Sequence, residues 1–414
     1  MSPQHITIDP ALVEHYLFTL ACYGAFGETG VWRPVYTPEW LAAQDQIAVW
    51  YAEAGLLVRR DTAGNVWGRL EGTHGGPVII SGSHIDTQQP GGRYDGALGV
   101  VAALVALRVL REQFGPPRRP LEAVSLCEEE GCRFLGTNYW ASRAILGLID
   151  PAEMETLRDD EETSIGAAMR GVGLDPAQIQ AAQRDDIGAF LELHIEQGPV
   201  LEHANVPLGI VGGVTGLRQY QVVLRGTANH AGAFPMDLRR DPMAGAALMI
   251  AELIATAEAM GRPAVTTVGR VLVEPNRPAI IPERVSFSVD VRHPDAAALA
   301  ALIERHEATF ARVARERNLE VAWQVTLDQQ PSPANPALVA LLARVATARG
   351  LPFVHLHSGA GHDALMLARI APMAMIFVQS RDGRSHTPEE FTSIEHAVAG
   401  ITVLADALYV LAYE

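Results

Sequence analysis

No lysine occurs anywhere in the 414 residues, so all 32 positively charged side chains are arginines. That absence excludes chemistry built on a lysine amine, such as a Schiff base with a carbonyl substrate or the phosphate-binding lysine of a P-loop. An anionic substrate has to be held by guanidinium groups, backbone N–H groups or metal. Cysteine is nearly as scarce. Cys22, Cys127 and Cys132 are odd in number and form no C-x-x-C pair. They offer neither a disulfide framework nor a thiolate zinc knuckle, and read as buried or half-buried thiols. Positive charge is outnumbered, giving a net charge of −16 with no basic stripe, so no nucleic-acid partner is expected. The start, MSPQHITIDPALVEHYLF, has no basic segment followed by an apolar core, so no signal peptide is expected. The most apolar helix candidate, VVAALVALRVL, is short and broken by Arg108, so no membrane span is expected and a soluble, cytoplasmic protein is.

Apolar residues at 48% and charged residues at 19% describe a well-packed globular chain, long enough for two or three domains. Residues 9–60 read as two helices. PVIISGSH (77–84) is a buried strand, GALGVVAALVALRVLREQF (96–114) a helix and LEAVSLC (121–127) the next buried strand. FLELHIE (190–196) is another. Strand–loop–helix–strand order predicts a mainly parallel α/β sheet flanked by helices, with sites at the carboxyl ends of its strands.

Around Gly212–Gly216 the texture changes. QYQVVLRG alternates polar and apolar, and a helix at 241–260 follows. Then come TTVGRVLVE, RVSFSVDVR, a helix at 295–317 and LEVAWQVTL. That β-α-β-β-α-β order describes a ferredoxin-like α+β domain. The first texture returns after QQPSPANP, with a helix at 336–349, the strand PFVHLH, a helix from 362, the strand APMAMIFVQ and a helix at 392–411. The expected domains are therefore 1–213 with 329–414, and an insertion spanning 214–328.

GSHIDTQQPGGRYDGALGV packs His84, Asp86 and Asp95 into one strand-to-helix loop. Glu128-Glu129-Glu130 ends the next strand, His194 ends FLELHIE, and His386 follows MAMIFVQS. Singly, each has an ordinary reading: a structural histidine, a solvated acidic run, a Gly/Asp turn. Four apolar strands all delivering imidazole or carboxylate to one edge call for a cation to neutralise them. Catalytic metal sites take nitrogen and oxygen ligands of these kinds.

H-x-D, Y-D-G eleven residues from the histidine, E-E-G-x-R-F, E-L-H-I-E-Q-G and S-H-x-P together resemble the M20 metallopeptidase superfamily, on its amidase branch. That branch holds N-carbamoyl-L-amino acid hydrolases, allantoate amidohydrolases and β-ureidopropionase-type enzymes. The resemblance runs from Val78 to the C-terminus. It implies a zinc-peptidase-like catalytic domain, an inserted dimerisation or lid domain, and a homodimer. It also implies two divalent ions per subunit (zinc, manganese, cobalt or nickel), one held by His84, Asp95 and His194, the other by Asp95, Glu130 and His386. Asp86 would fix the tautomer of His84, and Glu129 would be the general base for attack on a ureido or amide carbonyl.

The glutamate triplet leaves a choice of frame. Counting back from Gly131 makes Glu130 the ligand and Glu129 the base; peptidase relatives carry one more residue before the glycine, which would shift both roles back by one. The resemblance further assigns His230 to the oxyanion across a dimer interface and Asn276 and Arg292 to substrate, while Gln197 in HIEQG reads as an acceptor or donor for the ureido group. The SGAGHD loop, with Gly359, Ala360, Gly361 and His362, would hold the substrate's carboxylate or carbonyl end. EPNRPAIIPE departs from the branch's P-N-x-x-N-V-V-P-G, and SHTPEE from S-H-N-P-A-E. Both changes bear on substrate identity rather than on metal binding. The expected substrate is an N-carbamoyl-L-amino acid or a ureido acid such as allantoate, with an aminoacylase or dipeptidase as the alternative.

Overall fold

The computed structural model describes residues 6–414. They form two compact units: one runs to Gly212 and resumes at Ala334–Glu414, the other is Gly213–Pro333.

In the first unit the centre of the sheet is parallel. Strands Met373–Val378, Ile187–Ile195, Val78–His84 and Leu121–Leu126 lie side by side in that order. Val78–His84 is buried at every residue, which is why it reads as an uninterrupted apolar run rather than an alternation. Antiparallel strands extend the sheet on both sides. Leu208–Val214 pairs with Met373–Val378, while Val66–Leu70 and Leu57–Arg60 continue beyond Leu121–Leu126. Two of these three strands, Leu57–Arg60 and Leu208–Val214, escape the sequence reading for physical reasons. Leu57–Arg60 is exposed throughout, and LGIVGGV carries too many glycines to show a strand pattern.

Helix starts follow ordinary capping chemistry. Asp9 accepts from the Ala11 N–H and Thr37 from the Trp40 N–H, each ahead of a proline. Helix Ala97–Phe114 buries most of its length against the sheet and against the last helix, Ile394–Tyr413.

The second unit is an antiparallel sheet in the order Val265–Thr267, Arg284–His293, Gly216–Arg225, Glu320–Gln329. The stretch TTVGRVLVE, read as one strand, is two: Val265–Thr267 and Val271–Glu274 both pair with Arg284–His293, separated around Gly269. Helices Pro242–Met260 and Ala296–Glu316 cover the sheet, and Tyr220, Val222, Phe287, Val289, Leu253 and Phe310 form the core between them. Among the described residues two helices, Pro242–Met260 and Ile394–Tyr413, are long and apolar enough to cross a membrane by length and composition. Each packs against the sheet of its own unit.

Candidate metal centre

The four parallel strands end together, and the polar residues follow their ends. His84 closes Val78–His84, and Asp95 precedes Gly96, the cap of helix Ala97–Phe114. Glu129 and Glu130 follow Leu121–Leu126, His194 is the penultimate residue of Ile187–Ile195, and His386 lies in the loop after Met373–Val378. Gly96 has φ +63°, and a Cβ there would sit 2.5 Å from the His84 ring, so only glycine allows the loop to turn beneath the imidazole.

Among the described residues three groups hold ligand-capable atoms within 4.8 Å of one another: Glu192–His194–His362, and the pair His84–Asp95–His194 and Asp95–Glu130–His386. Asp95 belongs to both, and its two oxygens divide. Oδ1 lies 3.1 Å from His194 Nε2 and 3.6 Å from His84 Nε2. Oδ2 lies 3.6 Å from His386 Nε2, which is itself 3.4 Å from Glu130 Oε1.

The imidazole tautomers test whether a cation fits. His194 Nδ1 lies 2.9 Å from the carbonyl of Ile195, and His84 Nδ1 lies 3.1 Å from the carbonyl of Asp86 and 3.4 Å from its carboxylate. Facing only acceptors, both Nδ1 atoms carry the proton. Both Nε2 atoms face carboxylate oxygen, and His194 Nε2 also accepts the Gly96 main-chain N–H at 3.1 Å. Lone pairs converging on lone pairs form a stable arrangement around cations, and the residues fit two of them.

A family model described as peptidase family M20/M25/M40 matches residues 80–410. The chain is 40% identical over 414 residues to an allantoate amidohydrolase of Bacillus subtilis, covering all of both chains. It is 38% identical to an N-carbamoyl-L-amino-acid amidohydrolase of Paenarthrobacter aurescens, over 95% of each. An amidase of the hydantoinase/carbamoylase family from Burkholderia multivorans superposes with a TM-score of 0.92 at 35% identity, over 99% of each chain. The chain belongs to the M20 peptidase family, on its amidase branch. It is a hydrolase of non-peptide C–N bonds with a two-ion centre.

In this M20 amidase the carboxylates are crowded and dry. Burial pushes Glu129 well above the usual carboxylate range, reinforced by Glu130, Asp363 and Asp86 and opposed by His84. Glu130 is raised by burial and then by Asp95. Asp95 goes the other way, because His194, His84 and His386 together outweigh its burial. Asp86 accepts the main-chain N–H groups of Glu129 (3.1 Å) and Glu130 (3.1 Å), locking the triplet's backbone as well as facing His84. Glu128 belongs to none of these groups; it is buried, accepting from the Thr137 hydroxyl.

Gln197 donates from Nε2 to Asp95 Oδ2 at 2.8 Å, so the centre brings it in beside the shared aspartate. His362 is also close but buried. Its ring packs edge-on to His194 at 4.6 Å, its Nε2 lies 2.8 Å from Ser358 Oγ, and burial holds it well below the usual imidazole range. In the same loop the Ala360 N–H donates to Ser358 Oγ, and Gly361 packs against the Tyr139 hydroxyl.

His230, Asn276 and Arg292 belong to the second unit. His230 is exposed, and its Nδ1 accepts from the N–H groups of Gly232 and Ala233, both at 3.0 Å. That leaves the ring proton on Nε2, pointing a donor outward. Asn276 sits exposed at φ +53°. Arg292 engages Asp290 through Nε (2.8 Å) and Nη2 (3.1 Å).

Several residues of the site carry little sequence signal. Arg33, 1% exposed, donates to the carbonyls of Ile85, Leu20 and Tyr23 and so grips the His84–Asp86 turn from behind. Gln88, inside the H-x-D loop, donates to Glu130 Oε2 at 2.9 Å. Glu192 accepts from Ser83 and from the Ala364 N–H, and Asp363 accepts from Ser142, its carboxyl pushed up to about 7 by burial and then by Glu192. In the sequence Glu390 shows only as the last residue of SHTPEE.

Proposed function

We propose that this M20 amidase hydrolyses the ureido group of an N-carbamoyl-L-amino acid or of a related ureido acid such as allantoate. The net change is R–NH–CO–NH2 + H2O → R–NH2 + CO2 + NH3. The observation that carries the reading is the pair of donor groups sharing Asp95, in a chain similar over its whole length to allantoate and N-carbamoyl-L-amino-acid amidohydrolases.

Two divalent ions would be held by His84, Asp95 and His194 and by Asp95, Glu130 and His386, supplying Lewis acidity and a nucleophilic hydroxide at neutral pH. Glu129 takes the proton of the attacking water and returns it to the leaving nitrogen. Its raised affinity for a proton suits that shuttle. Asp86 keeps the Glu129 main chain in place through its N–H. The outward Nε2–H of His230 is a donor for the oxyanion. Gln197, an amide already beside Asp95, is placed to exchange hydrogen bonds with the ureido group. Arg292, with Asn276 beside it in role, binds the substrate carboxylate, and the loop Gly359–Ala360–Gly361 with His362 faces the same end of the substrate.

The working enzyme is a cytoplasmic homodimer in which His230 of one copy serves the other copy's centre. The edge strand Glu320–Gln329 supports self-association: it is exposed along most of its length and carries Trp323, Val325 and Leu327 in the open. Nitrogen and oxygen ligands accept zinc, manganese, cobalt or nickel alike.

The test is ammonia release by zinc- or manganese-loaded protein across N-carbamoyl-L-amino acids, N-carbamoyl-β-alanine, allantoate and N-acyl amino acids. Ammonia from a ureido substrate supports the proposal and names the substrate class. Cleavage of acyl or peptidyl substrates alone, without ammonia, would replace it with an aminoacylase or dipeptidase activity.

A further inference from the structure

His386 is the exposed member of the ligand set, with 48% of its side chain open. It sits in an irregular loop between Met373–Val378 and Ile394–Tyr413, whereas His84 and His194 are anchored in buried strands. Something other than secondary structure must therefore set the distance of His386 from Asp95 and Glu130. Glu390, four residues on and 4% exposed, spans the gap. Its Oε1 accepts the main-chain N–H groups of Tyr94 (2.8 Å) and Asp95 (2.9 Å). Its Oε2 lies 3.3 Å from the hydroxyl of Ser385, which lies 2.6 Å from Asp95 Oδ2. The fit is close enough that a Cβ on Gly92 would stand 2.3 Å from Glu390 Oε1. The rings of Tyr94 and Phe391 meet edge to face at 6.0 Å, a second contact between the same two loops.

We propose that Glu390 is a positioning residue for the second ion. It splices the loop that delivers Asp95 to the loop that delivers His386, and so sets the spacing of Asp95, Glu130 and His386 without touching the ion itself. The inference rests on the two-ion reading of the centre. Its consequence is selectivity: losing the splice frees His386 but leaves His84 and His194 on their strands, so the second ion weakens while the first is kept.

The experiment titrates manganese(II) into metal-stripped, full-length wild type, Glu390→Ala and Glu390→Gln, counting bound ions and recording the electron paramagnetic resonance spectrum. Wild type should take two ions and give the signal of an interacting pair. Glu390→Ala should bind its first ion like wild type, bind the second about 10- to 100-fold more weakly, and show an isolated-ion spectrum at one equivalent. Glu390→Gln keeps an oxygen for the two N–H groups and should recover the pair signal. Gly92→Ala, which displaces the carboxylate without removing it, should repeat the Glu390→Ala pattern and stands in if that variant does not fold. Equal weakening of both ions, or a lowered Tm with both affinities intact, overturns the proposal. A wild type that binds a single ion overturns the two-ion reading beneath it.

Discussion

Replacing Glu129 by glutamine should separate catalysis from stability in opposite directions. The side chain is nearly closed off from solvent, and its Oε2 stands 3.9 Å from His84 Nε2. Its main chain is fixed independently, through the N–H to Asp86, so an isosteric amide leaves the loop where it is. Without a base to accept and return the proton, kcat should fall about 10²- to 10⁴-fold, or about 3–5 kcal/mol of barrier, while both ions still bind. Stability of the metal-free chain should move the other way. Burial together with Glu130, Asp363 and Asp86 raises the folded pKa of Glu129 above its ordinary 4.5. A carboxyl raised in the folded state contributes nothing adverse below its unfolded pKa and costs stability as pH climbs through the folded value. At neutral pH the metal-free wild type therefore carries a strained acid that the amide removes. A gain of about 0.5–2 kcal/mol is expected, read as a Tm higher by about 0.5–2 °C in calorimetry at pH 7.5. At pH 4 the gain should shrink. The companion Glu130→Gln should lose an ion instead. If Glu129→Gln loses metal while Glu130→Gln keeps it, the roles within the triplet are misassigned. If Glu129→Gln keeps more than a tenth of wild-type kcat, it is not the base.

Three further outcomes follow from single features. If His230 serves the partner copy, mixing inactive His230→Ala with inactive Glu129→Gln should restore about a quarter of wild-type activity through hybrid dimers; no recovery would place His230 in its own chain's site. His306 is buried in the second unit against Thr266 and is held down to about 4, from 6.5, by burial. The unfolded chain takes up a proton there first, so the group costs about 3 kcal/mol as pH falls from about 6.5 toward 4; His306→Leu should flatten that part of the stability profile, and an unchanged slope would refute the assignment. A Cβ at Gly361 would lie 1.7 Å from the Tyr139 hydroxyl, so Gly361→Ala should destabilise by about 1–3 kcal/mol and regain part of that loss when combined with Tyr139→Phe.

The sequence exposes the candidate ligands of this centre because parallel strands buried on both faces are uninterrupted apolar runs, so the histidines and carboxylates just beyond them stand out. His84, Asp95, His194 and His386 are legible for that reason. Their supports are not. The partners of Glu390 lie almost 300 residues upstream, at Tyr94 and Asp95, and Arg33 answers to carbonyls of Leu20, Tyr23 and Ile85; neither pairing has a local pattern. Glu192 and Asp363 are buried carboxylates that sequence reads as an ordinary strand residue and a helix start. At the other extreme Leu57–Arg60 is invisible because it is an exposed edge, where no burial enforces an alternation.

The position of strand Met373–Val378 has a consequence for how the chain is made. It is the neighbour of Ile187–Ile195 in the centre of the sheet, yet the whole of Gly213–Pro333 is synthesised between them. A nascent chain emerging from the ribosome holds His84, Asp95, Glu130 and His194 long before it holds His386, and until Met373–Val378 arrives one side of Ile187–Ile195 lacks its partner. The inserted unit, whose pairings are all internal to it, can fold during that wait. Premature termination after the insertion would therefore release a chain with a finished second unit, one complete candidate triad and an open apolar strand in its main sheet, an aggregation liability.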